Sequence, residues 1–242
     1  MLRMTNGDSP TTTTAKPGKP SLILELAVVT ALVLGGVWAV CFFKDSFKPL
    51  EKWGWMAVFF IFVLGGWIPA FIRREPLEKF GWTLAGLRRS LFSVLLAGAV
   101  VFPIFYGGAY LIIKYNVMGA AGHVSAQPLE SQTIISAILF QFLYVAIGEE
   151  AFFRGYFQTR VSELVDGRML IKRIRFSIAG LNSALMFALG HYLIRPEPAS
   201  LLTFFPGLAF GILREYTSGL IAPVLFHGFC NVSMMIFMNL MI

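Results

Sequence analysis

The sequence predicts an all-α, polytopic transmembrane helix bundle of about seven spans with its N-terminus in the cytoplasm. Three observations carry that reading. Of 242 residues, 57% are hydrophobic and only 14% charged, with a mean hydropathy of +0.71, whereas soluble domains hold about 25% charged and about 45 to 50% apolar residues. The apolar residues are gathered into runs that match the length needed to cross a bilayer, about 17 to 25 residues each. Finally, Lys and Arg are concentrated in alternate loops, which sets orientation.

Residues 1–21 include Thr11 to Thr14, Pro10, Pro17 and Pro20 without apolar periodicity. They read as a disordered tail ahead of a membrane domain over residues 22–242. Leu22 to Phe43 is the first span, since the h-region of a cleaved signal peptide is only about 7 to 15 residues long. Further spans are expected near Trp53 to Ile72, Ser90 to Ile113, Thr133 to Tyr156 with continuation to Leu164, Phe176 to Ile194, Ala199 to Leu213 and Gly219 to Ile242. Pro69 and Pro103 should kink or end their helices, and Gly207 with Gly211 gives the GxxxG spacing of close helix packing. Between the second and third spans, Glu75 to Arg89 mixes Leu77, Phe80, Trp82 and Leu87 with charges, which predicts a short interfacial helix.

With the N-terminus inside, the cytoplasmic segments hold fourteen Lys and Arg, concentrated in Arg73 to Arg89 and Arg160 to Arg175. The outer segments hold five: Lys44, Lys48, Lys52, Lys114 and Arg195. The formal charge of +7 is thereby explained by loops facing anionic lipid, and nucleic acid is not a partner. Cys41 and Cys230 form no CxxC pair and read as small apolar residues in separate spans.

Against this background the fourth span carries Glu149, Glu150 and Arg154. A charge at mid-bilayer costs at least about 2.5 to 3.5 kcal/mol on insertion scales, so such residues mark a functional site. Glu150 and Arg154, at i and i+4, share a helix face, and Glu149 is turned by about 100 degrees. Arg154 can therefore neutralise Glu150 and leave Glu149 for acid and base chemistry. Two further polar sets lie in spans: His191, and His227 with Asn231 at i and i+4. Counted from the cytoplasmic helix ends, Glu149 and His191 lie at about 22 Å and His227 at about 12 Å. The three sets are expected to meet in one cavity open to the cytoplasm. His123 falls in an outer loop and is given no role.

These residues resemble the CPBP family of intramembrane proteases, which covers CAAX-processing and bacteriocin-processing enzymes related to the Rce1-type prenyl-protein endopeptidase. Glu149, Glu150 and Arg154 match its EExxxR motif, Phe187 and His191 match FxxxH, and His227 and Asn231 match HxxxN. The motifs occur in order, each on an expected span, within a core at about 133–231. The resemblance implies a glutamate-dependent endopeptidase. Glu149 and His191 would activate a water, His227 and Asn231 would stabilise the oxyanion, and Glu150 with Arg154 would support the helix. It also implies no cofactor. Zinc held by Glu149, His191 and His227 is the competing arrangement, although the chain has no HExxH.

The expected partners are the lipid bilayer and a membrane-anchored protein or peptide substrate cut near its C-terminal tail. In a prokaryote this would be a peptide precursor or a C-terminal sorting anchor at the cell (inner) membrane, as for myxosortase-like enzymes. In a eukaryote it would be a prenylated tail at the endoplasmic reticulum membrane. The alternative is a non-enzymatic immunity or scaffold protein that keeps the family's residues for structure. A small-solute transporter is a third reading, disfavoured because the hydropathy pattern has no inverted repeat.

Overall fold

The computed structural model describes residues 18–115, 131–165, 167–171 and 174–240, so the segment 1–17 and His123 lie outside it. Among the described residues seven helices form the bundle: α1 (Lys19–Phe43), α2 (Lys48–Ile72), α3 (Leu87–Lys114), a composite α4, α5 (Ile178–Ile194), α6 (Phe204–Thr217) and α7 (Ile221–Leu240). Helix α4 runs from Ser131–Phe140 through a π-helical turn Gln141–Ala146, the α-helical Ile147–Glu150 and a second π turn Ala151–Phe157 to Gln158–Leu164. It thus takes the longer of the two ends expected for this span. Among the described residues four helices are long and apolar enough to cross a membrane: α1, α2, Leu87–Gly108 of α3 and Ile134–Leu164 of α4. Helices α5 and α7 are shorter apolar helices, and α6 has 14 residues, preceded by a 3-10 turn over Pro198–Thr203.

The helix ends follow local chemistry. Gly18 precedes α1 and Pro20 stands in its first turn, so the expected tail gives way to helix at Lys19 rather than after residue 21. Pro69 lies inside α2, which stops three residues later at Ile72, whereas α3 continues past Pro103. Ser177 caps α5 by accepting the Gly180 amide hydrogen at 2.8 Å.

Two local expectations need correction. The Glu75 to Arg89 segment forms only a 3-10 turn over Leu77–Phe80, ended by Gly81 at φ 87°. It folds into the bundle rather than along its surface: Phe80 is buried against Tyr156, and the Leu220 amide donates to the Gly81 carbonyl at 2.9 Å. The fifth span, expected to begin near Phe176, becomes helical only at Ile178, because the residues before it form a two-stranded antiparallel hairpin, β1 (Arg168–Ile171) and β2 (Ile174–Ser177), with Arg168 opposite Ser177.

Helix α4 sits at the centre. Every residue from Ala151 to Gln158 is buried, and Phe152, Phe153 and Tyr156 pack against Val33 and Val37 of α1, Phe62 of α2 and Phe187 of α5. The outer faces of the flanking helices show apolar residues instead, among them Leu24, Leu32 and Leu95 at 65 to 73% exposure, as a lipid-facing surface requires.

At the α6-facing end of the α4 core, charges close the bundle. The fully buried Arg160 guanidinium contacts Glu25 and Glu163 at 3.1 Å each, and Glu75 through two nitrogens. Arg73 pairs with Glu25, Lys79 with Glu75 and Glu163, and the Tyr156 hydroxyl donates to Glu25 at 3.1 Å. Three carboxylates thus meet three cations, so each buried charge is compensated. This cluster ties α1, the α2–α3 connection and the C-terminal end of α4 together.

Candidate active site

The Glu149–Glu150 pair stands on a four-residue α-helical segment between the two π turns of α4. Such turns rotate successive side chains off the α-helical register and often accompany functional sites. Glu150 and Arg154 face inward, both with fully buried side chains. Arg154 Nη1 donates to Glu150 Oε1 at 3.0 Å and Nη2 donates to the Gly207 carbonyl at 2.8 Å. Its guanidinium also lies over the rings of Phe187 and Phe210, at 4.5 and 5.1 Å, so a desolvated cation gains from both charge and ring faces.

The GxxxG pair is what lets α6 come this close. A Cβ at Gly207 would lie 3.1 Å from Arg154 Nη2 and 3.1 Å from Phe187, and one at Gly211 would lie 3.5 Å from the Gly180 backbone. Close helix packing and access of Arg154 to a backbone carbonyl are therefore one device.

His227, buried on α7, places Nδ1 2.8 Å from Glu150 Oε1 and Nε2 3.8 Å from Glu149 Oε2. Phe210 stacks on its ring at 4.7 Å between centroids with an interplanar angle of 14°, which fixes the ring plane. With Nδ1–H donating to Glu150, Nε2 is the nitrogen turned toward Glu149.

Glu149 points to the neighbouring face. Its Oε2 is buried and, among the described residues, has no hydrogen-bond partner. Together with His191 it lines a small enclosed cavity of about 20 Å³ whose other walls include Leu34, Val37, Phe62 and Phe153. A cavity needs about 10 to 15 Å³ by this measure to hold one water, and about two polar partners to keep it. His191 Nδ1 lies 3.0 Å from the Phe187 carbonyl; donation there leaves Nε2 as the acceptor.

Asn231 lies one turn beyond His227 on α7. Its Nδ2 donates to Gln141 Oε1 at 2.9 Å, across to the first π turn of α4. Sequence reading missed Gln141 and Phe210. Gln141 left a usable signal, an amide within an apolar run and eight residues before Glu149. Phe210 left none, since one phenylalanine among 24 does not announce a stack.

From His191 and Ile194 a larger groove of about 380 Å³ opens along Arg195, Glu197, Ser200 and Thr203. These residues form the connection after the C-terminal end of α5, the end opposite the Ser177 cap and the hairpin. The groove thus leaves the bundle at the end of α5 opposite the α4–α5 connection, three residues past His191.

Zinc was the competing arrangement for Glu149, His191 and His227. Among the described residues, no three His, Cys, Asp or Glu side chains are grouped to hold a metal ion.

Buried carboxylates thus face histidines inside an apolar helix bundle, a donor set suited to acid and base chemistry. Residues 131–233 match the family model of type II CAAX prenyl endopeptidase Rce1-like proteins, and this segment is what the chain has in common with that family of proteases. The match contains every residue of the three motifs, from Glu149 to Asn231. No curated protein and no solved structure matches the chain.

Proposed function

We propose that this protein is an intramembrane endopeptidase in which Glu149 and His191 activate a water molecule, without a metal, to cleave a membrane-anchored protein or peptide near its C-terminal tail. The observation that carries the reading is the small cavity of about 20 Å³ lined by His191 and by Glu149, whose Oε2 has no hydrogen bond among the described residues. A water seated there can give a proton to Glu149 as its oxygen attacks the peptide carbonyl carbon. Collapse of the tetrahedral intermediate breaks the C–N bond, and the proton passes to the leaving amine. His191, held by its Phe187 contact, orients the water through Nε2.

The oxyanion would develop toward α7. His227 Nε2 can donate to it when both ring nitrogens carry protons, and Asn231 has a second amide hydrogen beyond the one given to Gln141. A donor preplaced in a water-poor site is worth about 2.7 to 4 kcal/mol of barrier. Glu150 and Arg154 act through His227 and the helix, holding both in place. The groove leaves on the face opposite the basic loops, which favours a substrate tail on the outer side of the membrane.

The test is cleavage of a single-span or lipid-anchored test peptide by the purified protein in detergent or liposomes. Glu149→Gln and His191→Ala are expected to abolish cleavage with melting temperature preserved, and chelators to leave the wild-type rate unchanged. Full proteolysis by both variants would overturn the assignment.

A further inference from the structure

On the proposed reading of Asn231 as an oxyanion donor, we infer that Gln141 is its positioning residue: by accepting a hydrogen from Asn231 Nδ2 at 2.9 Å, it aims the second amide hydrogen at the oxyanion. The terminal torsion of an asparagine is broad, so Asn231 alone would sample many orientations and present its oxygen as readily as its nitrogen. An acceptor at Gln141 selects the nitrogen. Because a carboxamide is planar, fixing one N–H also fixes the direction of the other. A donor held in this way needs no reorganisation as charge develops.

Two features of the chain build this contact. Gln141 opens the first π turn of α4, Gln141–Ala146. On an uninterrupted α-helix Gln141 and Glu149, eight residues apart, would be turned by about 80 degrees from each other. A π turn absorbs one extra residue, so the two stand as residues about seven apart do, within about 20 degrees of a common face. The second feature is Gly228, between His227 and Asn231. A Cβ there would lie 2.4 Å from two ring carbons of Phe142, so the missing side chain lets α7 lie flush on the π turn. Phe142 also meets Phe229 edge-on, at 5.2 Å between centroids and 86°. The turn carries Gln141 to the Glu149 face, and the glycine brings Asn231 within its reach. Amide pairs between spans can also serve only to join helices, and kinetics separate the two roles.

The probe is a farnesylated peptide whose cysteine is followed by two aliphatic residues and a serine, with an analogue in which a phosphinate, a tetrahedral anion, replaces the amide after the cysteine. In detergent, Gln141→Met, similar in length but without the acceptor, is expected to lower kcat about tenfold with KM unchanged. That is a smaller loss than the roughly 100-fold expected when Asn231→Ala removes the donor itself. Added to Asn231→Ala, Gln141→Met should cost nothing further, since its effect passes through Asn231. Gln141→Asn, whose shorter side chain withdraws the acceptor, should act like Gln141→Met and takes its place if that variant does not fold. Unchanged kcat, a rise in KM alone, or a full further loss in the double variant would overturn the inference. If the wild type does not cleave the peptide, binding decides. A preference for the phosphinate over the amide peptide that Gln141→Met lowers about tenfold in the wild type, and does not lower in Asn231→Ala, upholds the pair as an anion-holding unit although the proteolytic reading fails. A preference that Gln141→Met leaves unchanged, or no preference at all, overturns it.

Discussion

His227 Nδ1 lies 2.8 Å from Glu150 Oε1, the same oxygen that receives the Arg154 Nη1 hydrogen bond at 3.0 Å. One carboxylate thus holds a cation on its own helix and a histidine on another, and it joins α4 to α7 at the level of the candidate site. Glu149, one residue earlier, has no such duty: its Oε2 is without a hydrogen bond among the described residues. The two glutamates are neighbours in sequence and differ in their partners: Glu150 Oε1 holds Arg154 and His227, whereas the nearest histidine nitrogen to Glu149 lies 3.8 Å away.

That division predicts unequal costs. Glu150→Ala leaves the fully buried Arg154 without its counter-ion, and breaking a buried pair in this way costs about 3 to 5 kcal/mol. Thermal unfolding in detergent should show a large drop for Glu150→Ala and little change for Glu149→Gln. A Glu150→Ala protein as stable as wild type would contradict the pairing.

Gly207 carries the second prediction. A Cβ there would meet Arg154 Nη2 and Phe187 at 3.1 Å, and the Gly207 carbonyl would move away from its donor as α6 yields. Overpacking of this kind costs about 1 to 3 kcal/mol. Gly207→Val should lower the melting temperature and reduce cleavage together. Gly35→Ala, whose Cβ meets nothing within 4 Å, should leave both unchanged and serves as the control.

Much of this was legible in the chain. Apolar run length marked the helices, and the one-turn spacing of Glu150 and Arg154 marked their pairing, because both signals are written locally. The π turns flanking Ile147–Glu150 were not legible, since no residue type specifies them; they arise from how α4 packs. The same holds for the hydrogen bond from Asn231 to Gln141, which joins α7 to the first π turn of α4. Contacts between helices depend on rotation and depth, and a sequence fixes those only through the full set of packed neighbours. Arg160 shows the limit from the other side. It counted as one cytoplasmic charge, yet it is the buried centre of a cluster drawn from Glu25, Glu75 and Glu163.

This cluster predicts an acid dependence. Burial alone would raise the Glu75 carboxyl, but hydrogen bonds and charge from Arg160 and Lys79 outweigh it and hold the group below its ordinary value of 4.5. A depressed carboxylate contributes stability that is fully present above its unfolded value and is lost as pH falls through the lower folded value. Stability of the wild type should therefore be flat above about pH 4.5 with respect to this group and decline below it. Glu75→Gln should be less stable at neutral pH, and its difference from wild type should shrink as pH falls. A constant difference across the acid range would contradict the assignment.

The last prediction concerns which side of the membrane the groove faces. Basic residues gather at the α2–α3 and α4–α5 connections, and cytoplasmic loops carry such excesses. The groove opens past the other end of α5, along Arg195, Ser200 and Thr203. Both statements hold together only if the tail of the substrate is presented outside the cytoplasm. Position 200 can report this directly. In a background with Cys41 and Cys230 replaced by alanine, Ser200→Cys should react with a membrane-impermeant maleimide in intact cells. Ser162, exposed near the Arg160 cluster, supplies the opposite reporter, and Ser162→Cys should react only after the membrane is opened. The reverse pattern would put the groove in the cytoplasm and return the substrate tail to that side.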